Sequence, residues 1–218
     1  MNSDNQMIEV HNLQFSYNGN FDLKINKFLL SSGKRILLRG PSGAGKTTFL
    51  MLLRGILIPN SGTIRVLGQD LSNLSERERR DLRLKRIGSI FQHPTLLPYL
   101  TIEDNLKLNR FLGHKTLNDP SQHPLLDQLG LRHLLKCYPK ELSGGETQRV
   151  SLMRPFIHNP DLVIADEPTN HLDQEHKKCL VDLLDAYRSP NNTTLIVSHD
   201  ERLVSICDEV IDFSGLKQ

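Results

Sequence analysis

The stretch Gly40-Pro41-Ser42-Gly43-Ala44-Gly45-Lys46-Thr47 decides the fold. It meets the pattern G-x-x-x-x-G-K-[ST] without gap or substitution. Before it, Arg35-Ile36-Leu37-Leu38 reads as a short buried strand; after it, Thr48-Phe49-Leu50-Met51-Leu52-Leu53 reads as an apolar helix. Strand, glycine loop and helix in that order are the context in which this pattern cradles phosphates. Glycines let successive backbone N–H groups turn inward on phosphate oxygens, and the helix N-terminus adds partial positive charge. Lys46 is expected to reach the β- and γ-phosphates of a bound triphosphate and Thr47 to place its hydroxyl on Mg²⁺. Gly40, Pro41, Ser42, Gly43, Ala44, Gly45, Lys46, Thr47 and Thr48 are therefore the expected nucleotide-binding residues.

Composition narrows the class. The 218 residues, 38% hydrophobic and 24% charged, suit one globular domain with a sizeable core. No apolar run approaches the roughly 18 residues a membrane helix needs. Arg54 interrupts the longest candidate, around Leu50 to Ile58. The polar start, Met1-Asn2-Ser3-Asp4-Asn5-Gln6, lacks a basic-then-apolar leader pattern, so a cytoplasmic location is expected. Cys137, Cys179 and Cys207 are widely spaced and odd in number, which offers neither a disulfide framework nor a zinc spacing. A net charge of +2 does not imply nucleic-acid or lipid binding. The basic run from Glu76 to Arg86 is interrupted by acids, with Glu76 at helical spacing from Arg80, and is expected to be a solvated helix face.

Along the chain, Ile8 to Tyr17 alternates Leu13, Phe15 and Tyr17 onto one face and reads as a strand closed by Asn18-Gly19-Asn20. A pair of short strands is expected around Ser61-Gly62, with Thr63-Ile64-Arg65-Val66 as one member, and Ile87 to Phe91 makes another. From His93 to about Leu135 the pattern turns helical, interrupted by Pro94, Pro98, Gly113, Pro120 and Pro124. Leu162-Val163-Ile164-Ala165 and Thr194-Leu195-Ile196-Val197 are continuous apolar runs suited to parallel strands covered on both faces. The expected fold class is α/β, a phosphate-loop core with a mostly parallel sheet, early antiparallel strands and a helical insertion. We expect a single domain, 1–218, with its core in 1–91 and 160–218 and the helical part in 92–159.

Two further stretches carry chemistry. Asp166-Glu167 follows the run Leu162 to Ala165 directly, which sets two carboxylates at the C-terminal end of a strand, where α/β sheets gather ligands. Asp166 is the expected Mg²⁺ ligand and Glu167 the expected base or orienter of an attacking water. In Leu142-Ser143-Gly144-Gly145-Glu146-Thr147-Gln148, Ser143 and Glu146 make an S-x-x-E capping box. Ser143 thus starts a helix whose N-terminus favours an anion, and the glycines permit close approach.

The segment Leu142 to Gln148 resembles the signature sequence of ATP-binding cassette ATPases, and with it the motifs across nearly the whole chain fall in that family's order. The resemblance implies that Tyr17 stacks on adenine and that Gln92 joins the core to the helical lobe while sensing Mg²⁺ and the γ-phosphate. It implies that His199, in Ser198-His199-Asp200, contacts the γ-phosphate, and that Thr169-Asn170-His171-Leu172-Asp173 crosses a dimer interface with Asp173 as its acid. It also implies a head-to-tail homodimer holding two ATP molecules. Each site would combine one chain's Gly40 to Thr47 loop with the other chain's Ser143, Gly144 and Gly145. The stretches Leu71 to Gly88 and His93 to Thr101 are similar to those of bacterial lipoprotein-release and macrolide-export ATPases. Those act with a separate membrane permease, docked by the helical lobe around Gln92 to Thr101.

Two departures stand against that pattern. Pro155, in Met153-Arg154-Pro155-Phe156, lacks the amide that would bond Ser151's carbonyl and is expected to kink or end the signature helix. Asn170-His171-Leu172-Asp173 looks more like the soluble translation-factor cassettes, which gives a rival reading as a non-transport ATPase on ribosomes or nucleic acid. A cassette that only senses ATP is disfavoured by the presence of Glu167 and His199. A GTPase is disfavoured because no Asn-Lys-x-Asp follows the phosphate loop.

Overall fold

The computed structural model describes residues 6–17, 22–91, 96–112, 119–170 and 172–216. The Asn18-Gly19-Asn20 turn, Gln92 to Thr95 and His171 lie outside the described residues. Two sheets organise the rest. Strand β1 (Gln6–Ser16) runs antiparallel to β2 (Asp22–Ser31) on one side. The second sheet begins with β3 (Arg35–Arg39), and helix α1 (Lys46–Leu53) follows it. Strand β4 (Ser61–Val66) pairs with the other side of β1 and with β5 (Gln69–Asp70), which completes the antiparallel order β2-β1-β4-β5. Helix α2 (Glu76–Arg86) leads into β6 (Ile87–Ile90).

The middle of the chain is helical: α3 (Ile102–Phe111), the single turn α4 (Leu125–Gln128) and α5 (Gly144–Met153), joined by tight helical turns. Then come β7 (Leu162–Asp166), α6 (Gln174–Tyr187), β8 (Thr193–Val197) and β9 (Glu209–Asp212). The second sheet has the order β6-β7-β8-β3-β9, and every neighbouring pair in it is parallel.

The continuous apolar runs serve two cores at once. Successive side chains on a strand point to opposite faces. Ile36, Leu38, Leu162, Ile164, Leu195 and Val197 accordingly enter one cluster with β1, β2, β4 and α1. Leu37, Val163, Ala165 and Ile196 enter the other, with α3, α5 and α6. This two-sided burial is why those strands carry no polar alternation. At the centre of the first core Phe49 is fully buried, with ring centroids 5.4 Å from Phe28 and 5.6 Å from Phe213. Truncating such a residue costs about 3–5 kcal/mol.

Several expectations are corrected. Ser61 and Gly62 do not separate two strands; both lie within β4, and the turn that reverses the chain is at Leu67 and Gly68. Gly62, at φ +87, faces a bulge at Asn12, and a Cβ there would meet the Asn12 carbonyl oxygen at 2.3 Å. The glycine thus marks a close approach of two backbones and no turn. Glu76 pairs with Arg79 (3.0 Å) and Arg83 (2.8 Å), not with Arg80. The solvated face itself is as expected: Leu82 is the one buried residue of α2. Strands β2 and β9 are additions that the sequence reading does not mark. Pro155 ends the signature helix as expected, since α5 stops at Met153 and a tight turn, Arg154–Phe156, follows. The three cysteines are free and half-buried.

The order β7-β8-β3 brings three strand ends side by side. From them emerge Asp166-Glu167, Ser198-His199 and the Gly40 to Thr47 loop, at the C-terminal edge of a parallel sheet.

Candidate functional site

The phosphate loop is folded around its own lysine. Lys46 is buried, and its Nζ donates to the carbonyl oxygens of Gly40 at 2.6 Å and Pro41 at 2.9 Å. An ammonium has three N–H donors, so one remains for an anion. The Ala44 amide donates to the Pro41 carbonyl at 3.2 Å and closes the turn. Gly43, at φ +75, has no atom within 4 Å of where a Cβ would stand, which leaves the mouth of the loop open. Helix α1 starts at Gly45 with no side-chain cap and no acid in its first turn. Its free N–H groups and positive end therefore await an anion from outside the helix. Thr47 is exposed on that first turn and Thr48 half-buried; Gly40 is half-buried, and Pro41 and Ser42 are exposed. A triphosphate fits this donor set.

Asp166 closes β7, and Glu167 follows in a left-handed backbone conformation, φ +46, held by its amide donating to the Val197 carbonyl at 2.8 Å. Non-glycine residues held there store strain, which functional sites use to aim a side chain. The Glu167 carboxylate reaches to 3.5 Å from Nε2 of His199, whose ring is mostly exposed. Behind them Thr169 and Ser198 share a buried hydroxyl–hydroxyl bond at 3.2 Å, and the Asp200 amide donates to Ser198 Oγ at 3.1 Å. Arg39, last residue of β3, donates to the His199 carbonyl at 3.4 Å and to Glu201 at 2.7 Å. These contacts tie the three strand ends together. Thr169 and Ser198 stand in the stretches quoted for Asp173 and His199, but nothing in the sequence marks their bond to each other, and no pattern singles out Arg39.

Arg54 lies buried beneath, donates to the Ile164 carbonyl at 3.1 Å and sits 5.1 Å from the centre of the Phe91 ring. Burial pushes its pKa down to about 10, with the Asp166 carboxylate acting in the opposite direction. Among the described residues no group of three or more His, Cys, Asp or Glu could hold a metal ion by itself. The hydroxyl of Thr47 and the carboxylate of Asp166 fit a hard cation such as Mg²⁺, which keeps several waters and leans on substrate phosphates. Gln92, expected to join them, lies outside the described residues.

The second expected phosphate-binding segment is built differently. Ser143 caps α5 in a complete capping box: its Oγ accepts from the Glu146 amide at 3.3 Å, and Glu146 Oε2 accepts from the Ser143 amide at 2.8 Å and hydroxyl at 2.7 Å. That bonding holds the Glu146 carboxyl below its usual range. Gly144 has open space where a Cβ would be, and Ser143 is exposed. Asp173 caps α6, with Oδ1 accepting from the His176 amide at 2.9 Å. No hydrogen bond among the described residues joins Ser143, Gly144 or Gly145 to the Gly40 to Thr47 loop of the same chain. Tyr17 follows the last residue of β1, 43% exposed, with its ring edge-on to Phe15 at 4.8 Å.

With this geometry in hand, comparison with known proteins is specific. Residues 23–170 match the family model described as ABC transporter. A candidate hemin import ATP-binding protein of Staphylococcus haemolyticus, HrtA, is 39% identical over 199 residues, covering 89% of each chain. The lipoprotein-releasing system ATP-binding protein LolD of Legionella pneumophila is 37% identical, covering 84% of this chain and 82% of its own. Among solved structures, the ATP-binding cassette MJ0796, a dimer in a post-hydrolysis state with ADP and Pi, superimposes with a TM-score of 0.80 at 26% identity. That match covers 97% of this chain and 94% of the other. Among the described residues no helix is long and apolar enough to cross a membrane. The chain belongs to the ABC transporter family, as its ATP-binding and ATP-hydrolysing subunit.

Proposed function

We propose that this chain hydrolyses ATP in a head-to-tail homodimer and drives a separate membrane permease, from the cytoplasmic face of the membrane, in export or in lipid or lipoprotein release. The observation that carries the catalytic part is the 3.5 Å approach of Glu167 to His199, beside an uncapped, lysine-filled phosphate loop at the same sheet edge. In this reading Lys46 and the backbone from Gly40 to Thr48 hold the β- and γ-phosphates. Glu167 accepts a proton from, or orients, the water that attacks the γ-phosphorus in line. His199 donates to the γ-phosphate, and Tyr17 stacks on the adenine. Thr47, Asp166 and Gln92 would hold Mg²⁺, which when bound neutralises charge on the phosphate oxygens. Ser143, Gly144 and Gly145 serve the partner's nucleotide, and Asp173 lies in the loop that crosses between the chains. We assign the core to 1–91 and 160–218 and the permease-docking helical part to 92–159.

Release is favoured over import by the likeness to a lipoprotein-releasing ATPase. HrtA's name, which carries hemin import, marks the opposite direction as the alternative. The shared-site arrangement is tested by mixing chains: Ser143→Arg and Lys46→Ala are each inactive as homodimers, while their mixture regains one intact composite site. No recovery in the mixture contradicts the arrangement. Purification from membranes in the ATP-bound state then separates a transporter motor, which brings down an integral membrane protein, from a ribosome-associated ATPase, which brings down RNA.

A further inference from the structure

His176, on the first turn of α6, is 5% exposed, yet both nitrogens of its ring are engaged. Nδ1 lies 2.7 Å from Asp173 Oδ1, and Nε2 lies 3.1 Å from the carbonyl oxygen of Gly145, on the first turn of α5. A peptide carbonyl can only accept a hydrogen bond, and so can an ionised carboxylate. Asp173 is ionised: it is exposed, and the bonds from the backbone amide and then the ring of His176 hold its carboxyl below the usual range. Two acceptors facing two ring nitrogens require a proton on each. Neither neutral tautomer satisfies both contacts, since each would set a nitrogen lone pair against an oxygen.

We propose that His176 is a positioning residue, an imidazolium that latches the Ser143-Gly144-Gly145 helix start to the Asp173 loop so that both segments approach the partner's nucleotide as one body. This rests on the shared-site reading above. The contact is tight, as a Cβ on Gly145 would stand 3.2 Å from His176 Nε2. The ring sits near the N-termini of α5 and α6, whose dipoles disfavour a cation, and it is desolvated. Asp173 offsets both. Arg149 of α5 is also close by, its Nη1 3.6 Å from where a Gly145 Cβ would stand. Arg149 Nη1 is 3.7 Å from Glu175, and Lys177 Nζ is 3.8 Å from Asp200. A ring with its proton on Nδ1 alone would set a bare Nε2 against the Gly145 carbonyl, a repulsion where the latch has a bond. A γ-phosphate arriving at the start of α5 favours the protonated ring, so protonation and closure are expected to assist each other.

The test begins on the full-length wild-type protein without nucleotide, by long-range proton–nitrogen correlation of the histidine rings, with His176 assigned from a His176→Gln sample. At neutral pH both its ring nitrogens should be protonated; a single neutral tautomer there overturns the proposal. Turnover is then compared at that pH: His176→Gln should have a kcat lower by roughly tenfold, the loss of one charge-assisted hydrogen bond, with KM for ATP unchanged. Equal kcat for the two proteins, or a loss confined to KM, contradicts the latch. Because ring protonation is read on the single chain, it stays informative if ATP fails to dimerise a Glu167→Gln protein, an outcome that sinks the shared-site reading instead.

Discussion

The amide of Glu167 donates to the carbonyl of Val197 at 2.8 Å, and this one bond to the neighbouring strand accompanies a backbone at φ +46. The left-handed conformation is costly for any residue with a Cβ. Its effect is to turn the carboxylate off the end of β7 toward His199 and away from the sheet.

The strain makes a stability comparison possible. Glu167→Gly and Glu167→Ala both delete the carboxylate and should both abolish turnover. The glycine protein, free of the Cβ penalty, should be more stable than the alanine protein by about 1 kcal/mol in denaturant unfolding. Equal stabilities, or a more stable alanine protein, would mean that no strain is held at this position.

His158 gives the chain an acid-sensitive point far from the phosphates. It follows the turn that Pro155 forces, with Nε2 sealed from solvent. Burial pushes its pKa down to about 4, with a hydrogen bond to the Ile87 backbone acting the other way. The folded state therefore binds this proton less readily than the unfolded chain, whose histidines titrate near 6.5. The stabilisation from keeping the ring neutral is fully present above that value and is lost as pH falls toward 4, by up to roughly 3 kcal/mol. Thermal melts of wild type and His158→Phe across this window should converge as pH falls. A constant difference between the two would show that the ring is not held neutral.

What the sequence makes legible is what is contiguous. The Gly40 to Thr47 loop, the Ser143–Glu146 capping box and Asp166-Glu167 each lie within eight residues, and the backbone geometry they need is local. The two-sided strands were legible too, because burial on both faces leaves an unbroken apolar run. Strand β2 was not: its buried residues Leu23, Ile25, Phe28 and Leu30 step by two, three and two, so the alternation slips at Asn26-Lys27. Strand β9 is largely exposed and has no pattern to read. Arg39, Thr169, Ser198 and His176 escaped for another reason. Their partners lie 29 to 162 residues away, 31 for His176 and Gly145, and only the folded chain brings them together. Glu76 chose Arg79 and Arg83 over Arg80 because α2 packs through Leu82, and Arg83 on that side also reaches the carbonyls of Arg54 and Gly55.

The central claim is that Glu167 handles the attacking water while binding of the triphosphate is left to the loop around Lys46. Size-exclusion chromatography of Glu167→Gln with ATP, read beside its turnover, tests this most directly. The account expects ATP binding to be retained, hydrolysis to fall by at least about a hundredfold, the lower end for a lost general base, and the protein to elute as a nucleotide-loaded dimer. Hydrolysis near the wild-type rate, or a monomer that still binds ATP, would contradict it.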